Sequence, residues 1–297
     1  MHLLHLIARD EHKRRYLEPL ARGDIRSCFA MTEPHPGAGS DPDALRTTAR
    51  RARDRWVING HKRFISGAVG ATFCIVMART HAGSDRPAGA TMFLVDMDTP
   101  GIDVRPLRQM TGGSSFNEVF LTDVRIPAGN VMGDVNEGWR VTMTTLGHER
   151  SMSGGPSPFP QLLRLVRDRG ALEHPQRRAE LVQCYIGGRI IEFLGYRAQT
   201  ALSQGSAPGP ETSVMKLAFS QLATRIARLA VDAQGPTGML VGEVTPDHGS
   251  WQRQFLSVPS FRIAAGTDEV QRNVLGERLL GLPAEPRLDK DVPFRSR

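Results

Sequence analysis

The sequence predicts an α+β fold, with an antiparallel β-barrel in the middle of the chain and a four-helix bundle after it. Two observations predict this fold. Short β-rich runs separated by turn residues occupy 26–134, and amphipathic helical periodicity occupies 135–285. The 297 residues are enough to bury the cores of two medium domains. The predicted organisation is a helical segment 1–25, a β domain 26–134, a helical domain 135–285 and a tail 286–297.

The N-terminal segment is predicted to form one helix. Apolar residues between Leu3 and Leu17 fall roughly on one helical face, and Arg22-Gly23 provides a stop. We therefore expect a continuous helix that ends just before the first β-type run.

The β domain is predicted from six short runs rich in β-branched and aromatic residues. They are Ser27–Met31, Trp56–Ile58, Phe73–Ala78, Thr91–Val95, Val104–Leu107 and Glu118–Val124. Turn signals separate them, and Asn59-Gly60 in particular predicts a hairpin turn. Short strands divided in this way indicate a compact antiparallel barrel or sandwich.

The helical domain is predicted from four segments whose apolar residues recur at helical spacing. The segments are 137–153, 175–203, 211–233 and 267–280. In the second of them, Leu181, Ile186, Ile190, Leu194 and Ala198 repeat at steps of three to five residues. Four amphipathic helices of this kind predict a bundle.

Composition narrows the class of protein. No run of about 18 apolar residues is present, and the N-terminus lacks the order of charges in a secretory signal. We therefore expect no membrane span. Cys28, Cys74 and Cys184 are scattered without metal-type spacing, which favours free thiols, no metal site and a cytoplasmic location.

The formal charge of +7 leaves two interpretations open. It indicates either a solvated arginine-rich surface or attraction to an anionic ligand, such as a phosphorylated cofactor or a thioester carrier. The sequence has no nucleic-acid-binding motif and only 6% aromatic residues, so we expect no nucleic-acid partner.

Two glycine-containing segments have the pattern of ligand-binding loops. The run Met31–Asp41 follows a β-type run, and its backbone N–H groups suit an anionic or polar heterocycle, although such a run is as often only a turn. Near the C-terminus, Gly266-Thr267 precedes a predicted helix with Asp268 and Glu269 in its first turn. This arrangement indicates an N-cap, and helix starts also present N–H groups to polar ligands.

These segments resemble motifs of the acyl-CoA dehydrogenase family. Thr32-Glu33-Pro34 and Gly37–Asp41 match the family's Thr-Glu-Pro-Gly-Ala-Gly-Ser-Asp signature, with His35-Pro36 inserted. Trp56–Ser66 resembles a segment of its β domain that lies near the flavin, Phe116–Pro127 resembles the closing strand of that domain, and 260–283 resembles its C-terminal signature almost throughout. The resemblance covers about residues 3–285.

The resemblance implies an FAD-dependent enzyme that dehydrogenates an acyl-CoA thioester between the α and β carbons. A carboxylate takes the α-proton while hydride passes to the flavin. It implies FAD contacts by Phe29, Met31, Thr32, Phe64, Ser66, Asp232, Gly235, Thr267 and Glu269. It likewise implies substrate contacts by Ser40, Arg150 and Gly266. The turn that contains Gly235 is expected to reach the FAD of a neighbouring subunit.

Members of the family carry the catalytic glutamate at one of two positions, and these two positions predict the base in this chain. Many members have it directly before the Gly-Thr of the C-terminal signature, where this chain has Ala265. Other members, of the isovaleryl and long-chain type, carry it on the first bundle helix before an arginine, which corresponds to Glu149 and Arg150 here. Glu149 is therefore the predicted base, with His148 as a rival and a solvated Glu–Arg pair as the alternative. The backbone N–H of Ala265 is expected to polarise the thioester carbonyl.

The chain also departs from the family pattern. The family normally has about a hundred residues of helix before this point, so the sequence predicts that most of an N-terminal domain is missing. The stretch 166–175 lacks the family's Arg-x-x-Phe-Gly segment. The implied partners are an acyl-CoA, an electron-transfer flavoprotein or similar acceptor, and further subunits in a homo- or hetero-oligomer. Two alternatives remain: an incomplete or non-catalytic subunit of a mixed oligomer, and a related flavin oxidase or monooxygenase.

Overall fold

The computed structural model describes residues 1–34, 45–81, 89–151, 157–206, 209, 211–242, 245–284 and 286, with the side chains of 145–151 and 211 excepted. The described residues form two compact units. One contains Met1–Thr145 and the other Leu146–Pro286. Each unit is described by itself below.

The N-terminal residues form an interrupted helix. The helical pieces are α1 (His2–Ile7), α2 (Asp10–His12), a π-helical turn (Lys13–Leu17) and α3 (Glu18–Arg22). Ala8 and Arg9 have extended backbone angles, with ψ of 148° and 159°. The predicted continuous helix is therefore broken there, and Asp10 and Glu11 supply the acidic first turn of the next piece. Gly23, at φ +81°, ends the last piece as predicted.

The β domain contains eight strands. They are β1 (Ser27–Ala30), β2 (Thr48–Ala52), β3 (Arg55–Ser66), β4 (Phe73–Arg79), β5 (Ala90–Asp96), β6 (Ile102–Leu107), β7 (Phe116–Pro127) and β8 (Val131–Met132). The order across the sheet is β6-β7-β3-β2-β4-β5-β8, and β1 pairs with β4. All six predicted strands are present, and β2 and β8 are additional.

The mixed α+β class is confirmed, but a closed barrel is not shown. In the described part of the chain the sheet begins at β6 and finishes at β8, and these two strands do not pair with each other. Two contacts are parallel, between β1 and β4 and between β2 and β4, so the sheet is not wholly antiparallel. Hairpin signals in a sequence report on neighbouring strands only, which is why they could not reveal these pairings between distant strands.

The predicted hairpin turn at Asn59-Gly60 is wrong, because β3 runs through both residues. Asn59 instead bonds across to β7: its Oδ1 accepts from the backbone N–H of Asp123 at 2.8 Å. At Gly60 a Cβ would overlap the side chain of Thr47, so this glycine leaves space for that side chain. The hairpin turn lies earlier, between β2 and β3, where Arg53 has φ +56°.

The core of this unit lies on both faces of β4. Phe73, Ile75 and Met77 pack in one hydrophobic cluster with Leu4 and Tyr16 of the N-terminal helical pieces. The intervening Cys74, Val76 and Ala78 pack in a second cluster with β3, β5 and β7 residues. Every residue of β4 is buried, which agrees with its unbroken apolar run from Phe73 to Ala78.

The helical part of the chain contains more helices than the four that the sequence predicts. It contains α4 (Gly138–Ser151), α5 (Phe159–Asp168), α6 (Pro175–Ser203), α7 (Glu211–Ala233), α8 (Ser250–Phe261) and α9 (Asp268–Val274), which continues as a π-helical turn (Leu275–Leu279). The bounds of α6 and α7 are those predicted. Helices α5 and α8 were not predicted, and each contains a proline that the sequence pattern alone marks as a breaker. The arrangement as a four-helix bundle stays a prediction.

The C-terminal unit has its own core around α7. Ile226, Leu229 and Ala230 of this helix pack with Leu162 of α5 and Trp251 of α8. Among the helices described above, none combines the length and the apolar content that a bilayer crossing requires. The described residues also contain no cluster of three or more potential metal ligands.

Candidate active site

The β domain presents an aromatic side chain on a distorted part of β3. The pairing of β3 with β7 shifts register between Lys62 and Ile65, and Phe64 in this bulge has φ +61°. Its side chain is 55% exposed, which is unusual for phenylalanine. Buried Asn117 on β7 donates from its Nδ2 to the Ile65 carbonyl at 2.9 Å, which fixes the strand just after the bulge. The result is an aromatic ring held open to solvent.

The residues that follow β1 lie beside this bulge. The backbone N–H of Arg63 donates to the Thr32 carbonyl at 2.9 Å, and Lys62 Nζ donates to the Met31 carbonyl at 3.2 Å. Met31 and Thr32 are half-buried, as is Phe29 on β1, whereas Ser66 at the end of β3 is exposed. Five of the predicted FAD-contact residues are thus carried by two segments bonded to each other.

A buried ion pair lies where these two segments meet. Lys62 Nζ is 2.8 Å from Glu33 Oε1, and the two side chains are 0% and 6% exposed. Glu33 also accepts from the backbone N–H groups of Arg46 at 2.6 Å and Thr47 at 2.9 Å. Burial acts to raise the pKa of Glu33, but the charge of Lys62 and these hydrogen bonds outweigh it and lower the pKa below 4.5. Burial lowers the pKa of Lys62, and the charge of Glu33 opposes that shift.

In the C-terminal unit, the turn before α9 is held in a left-handed conformation. Ala265 and Gly266 have φ +55° and +89°. Gln271, fully buried on α9, donates from Nε2 to the Ala265 carbonyl at 2.9 Å, and a Cβ on Gly266 would overlap this amide. Glycine is therefore needed at 266 for both conformation and space. The backbone N–H of Ala265 makes no hydrogen bond to any described residue.

Helix α9 begins as the sequence predicts. Thr267 Oγ1 accepts from the backbone N–H of Val270 at 3.2 Å, and Glu269 is exposed in the first turn. Asp268 is different, because its side chain is only 1% exposed and is bonded to Lys216, Ser220 and Arg262. Burial acts to raise the pKa of Asp268, but these three donors outweigh it and lower the pKa below 3.8.

Asp232 lies at the C-terminal end of α7 and Gly235 just after it, whereas Ser220, which bonds to Asp268, lies in the first half of that helix. Asp232 and Gly235 are exposed, and Gly235 opens a 3-10 turn, Gly235–Met239. In that turn a Cβ on Gly238 would contact the Val231 carbonyl at 2.6 Å. Twelve residues of helix separate Ser220 from Asp232, which corresponds to about 18 Å. This chain therefore does not bring the Gly235 turn next to Thr267.

Three of the predicted site residues have side chains that lie outside the described part of the structure. Ser40 lies outside the described residues. Glu149 and Arg150 belong to the described backbone of α4, but their side chains are outside the description, as is that of His148.

Comparison with known proteins identifies the family. The acyl-CoA dehydrogenase middle-domain model matches residues 28–124, and the C-terminal-domain model matches residues 136–280. The chain belongs to the acyl-CoA dehydrogenase family. It is 36% identical to acyl-CoA dehydrogenase IpdE1 of Mycobacterium tuberculosis, over 93% of this chain and 72% of that protein. The family resemblance seen in the sequence motifs is thereby confirmed.

Solved structures of this family have the same fold. The Tcur3481-Tcur3483 steroid acyl-CoA dehydrogenase has a TM-score of 0.88 at 26% identity, over 95% of this chain and 75% of that one. The ChsE4-ChsE5 complex from Mycobacterium tuberculosis has a TM-score of 0.84, also at 26% identity, over 95% and 76% of the two chains. Acyl-CoA dehydrogenases are flavoprotein oxidoreductases of lipid metabolism, and members of this family generally depend on FAD.

The residues of the β domain fit such a cofactor. Phe64 presents a largely exposed aromatic ring, with the Arg63 guanidinium carbon 5.1 Å from its centroid, and Ser66 is exposed two residues later. Met31 and Thr32 are held to the same bulge through their carbonyl groups, which accept from Lys62 and from the backbone N–H of Arg63. A flat ring system with polar edges suits this combination.

The sequence motifs do not predict the buried charges. Glu33 and Lys62 lie inside the Thr32–Pro34 and Trp56–Ser66 motifs, but neither motif predicts a role for them. A signal was present: counting by two along β3 from buried Ile58 passes Gly60 and arrives at Lys62, so a lysine occupies an inward position. An inward lysine requires a carboxylate partner. The sequence does not say which carboxylate that is.

Proposed function

We propose that this chain catalyses the FAD-dependent α,β-dehydrogenation of an acyl-CoA thioester to the trans-2-enoyl-CoA. The single observation that carries the proposal is the exposed Phe64 bulge bonded to the Met31–Thr32 segment, in a chain of this family. An acyl-CoA is the substrate class that the family name gives. An electron-transfer flavoprotein or a similar carrier is the proposed electron acceptor.

Two groups of residues are proposed to hold FAD. In the β domain they are Phe29, Met31, Thr32, Phe64 and Ser66. In the C-terminal unit they are Thr267 and Glu269, with Asp232 and Gly235 serving the FAD of another subunit because they lie at the far end of α7. When bound, FAD supplies the acceptor for the substrate's β-hydrogen and its electron pair.

Glu149 is the proposed base that removes the α-proton. Ala265 has no carboxylate to offer at the alternative position, so the proton must pass to a group elsewhere. Arg150, Ser40 and Gly266 are the proposed substrate contacts. The backbone N–H of Ala265, which has no acceptor among the described residues, is suited to donate to the thioester oxygen as negative charge develops there.

The substitution Glu149→Gln tests the assignment of the base. Loss of a positioned base reduces kcat by about 10²–10⁴-fold, while FAD content and FAD affinity stay at the parent level. The control is Glu137→Gln, which changes a half-exposed glutamate ion-paired with Arg140 at the start of α4. It should leave kcat within twofold. Turnover by Glu149→Gln at the parent rate would contradict the proposed role.

A second arrangement is favoured by the names of two structural relatives. The Tcur3481-Tcur3483 and ChsE4-ChsE5 structures are each named as two different chains. We propose as an alternative that this chain works in a mixed oligomer with a second acyl-CoA dehydrogenase chain. Purification alone and after co-expression distinguishes the two arrangements, because a mixed enzyme is colourless alone and yellow only with its partner. Because the Tcur3481-Tcur3483 structure is named a steroid acyl-CoA dehydrogenase, the acyl-CoA substrates to be assayed should include the CoA thioester of a steroid side chain.

A further inference from the structure

We propose that the buried Lys62–Glu33 ion pair is a positioning device for the flavin side of the β domain. It fixes the Met31–Thr32 segment against the Phe64–Ser66 segment, and so sets the affinity and electronic environment of bound FAD. The inference rests on the proposed function, because it assumes that these two segments contact FAD.

The Lys62–Glu33 pair connects several segments of the β domain. Lys62 belongs to β3 and reaches both the Met31 carbonyl and the Glu33 carboxylate. Glu33 in turn accepts from the backbone N–H groups of Arg46 and Thr47, which lie beside β2. One pair of side chains therefore ties together three stretches of backbone that are distant in sequence.

Burying the two charges of this pair costs desolvation free energy. Two side chains that are 0% and 6% exposed have lost nearly all contact with water. A buried ion pair of this kind generally contributes no more stability than a well-packed apolar pair of the same volume. Apolar side chains, however, lack directional bonds. The directional bonds to Met31 and to the 46–47 backbone are what an apolar pair could not replace, and they define position.

Lys62 of this pair lies next to the β3 bulge in sequence. The strained residue Phe64 comes two positions after Lys62, and the one between them, Arg63, bonds to Thr32 through its backbone N–H. A displacement of Lys62 therefore moves the backbone of Thr32 and the ring of Phe64 together. The pair is bonded to the proposed FAD contacts and contributes almost no exposed surface of its own, so it acts through those residues as a positioning element.

The test uses the double variant Lys62→Met/Glu33→Gln, because Lys62→Met alone leaves an unpaired buried carboxylate and risks unfolding. The controls are Lys13→Met, a partly exposed lysine on the same unit, and Lys216→Met, a buried lysine of the other unit. Two measurements are made on each protein. Hydrogen exchange without added FAD reports on the backbone amides of 31–33 and 63–66, and titration with FAD reports on affinity and on the visible flavin spectrum.

The double variant should exchange these amides at least tenfold faster, bind FAD at least tenfold more weakly and shift the flavin absorption band. Neither control should change exchange in those two segments. Unchanged exchange in the double variant would overturn the inference, and so would faster exchange with FAD affinity and spectrum unaltered. Failure of the parent to bind FAD, alone or with a partner chain, would instead contradict the proposed function, while the exchange data would still decide whether the pair positions these segments.

Discussion

Each unit of the molecule buries a lysine–carboxylate pair beside a family motif, and the two pairs differ in their surroundings. Lys62 and Glu33 in the β domain are 0% and 6% exposed, and Lys62 is the one charged donor to that carboxylate in the described structure. In the C-terminal unit, Asp268 accepts from Lys216 and also from Arg262, whose side chain is 46% exposed. Ser220 adds a third side-chain donor at 2.7 Å.

The difference shows that the same pair of residue types can have different tolerance to change. Asp268 retains a cation and a hydroxyl donor if its lysine is removed. Among its described partners, Glu33 would retain the neutral backbone N–H groups of Arg46 and Thr47. The β-domain pair is therefore an interdependent unit, whereas the C-terminal carboxylate belongs to a redundant network that includes a solvent-exposed arginine.

The largest expected effect comes from removing each lysine in turn. Lys62→Met should lower the free energy of unfolding by about 3–5 kcal/mol, because it leaves a buried charge without a counter-ion. Lys216→Met should lower it by about 1–3 kcal/mol, since Asp268 keeps two side-chain donors. Urea unfolding of both variants measures the two values. Equal losses would show that Arg262 gives Asp268 no protection.

An intermediate effect is expected from acid. The pKa values of Glu33 and Asp268 are lowered in the folded protein, from 4.5 and 3.8 respectively. Each carboxylate therefore stabilises the fold above that ordinary value, and the contribution is lost as pH falls through the lowered pKa. Glu33→Gln should flatten the decline of Tm below about pH 4.5, and Asp268→Asn should flatten it below about pH 3.8. A parallel decline in parent and variants would show that neither carboxylate drives acid unfolding.

The smallest effect on stability is expected at the left-handed positions Phe64 and Arg53 of the β domain. A separate effect, on the affinity for FAD, is expected at Phe64. Phe64→Gly relieves backbone strain of about 1–2 kcal/mol and adds chain entropy of about 0.5–1 kcal/mol, so stability should change by less than about 1 kcal/mol. The control Arg53→Gly makes the same backbone change in the β2–β3 turn. Only Phe64→Gly should weaken FAD binding, by at least tenfold in a fluorescence titration. Equal FAD affinity in both variants would argue against a flavin contact by Phe64.

Much of the fold could be predicted where the signal is local. The bounds of α6 and α7 follow from apolar periodicity over more than twenty residues each. The strand β2 was missed because its sequence, Thr-Ala-Arg-Arg-Ala, is largely arginine and alanine, and its position is set by pairing with β3. The misplaced turn at Asn59-Gly60 has the same origin, since the role of Gly60 depends on Thr47, thirteen residues away.

The candidate site shows the same division. The motifs identified Phe64 and Thr32 by resemblance, and their roles remain predictions. No pattern in the sequence predicts that Phe64 lies in a bulge at positive φ, because the bulge results from the pairing of β3 with β7. Asp268 was expected as a first-turn acid of α9, and its burial by Lys216 arises from the packing of α9 against α7.

The open sheet has a consequence for behaviour in concentrated solution. Strand β6 ends the sheet, so its outer backbone groups have no strand partner in the described structure and could template the addition of a foreign strand. Pro106 removes one of the N–H donors needed for that addition, and exposed Asp103 and Arg105 place charge along the same strand. The β6 edge is thus unpaired in the described structure, but the proline and the charged side chains disfavour edge-to-edge aggregation there.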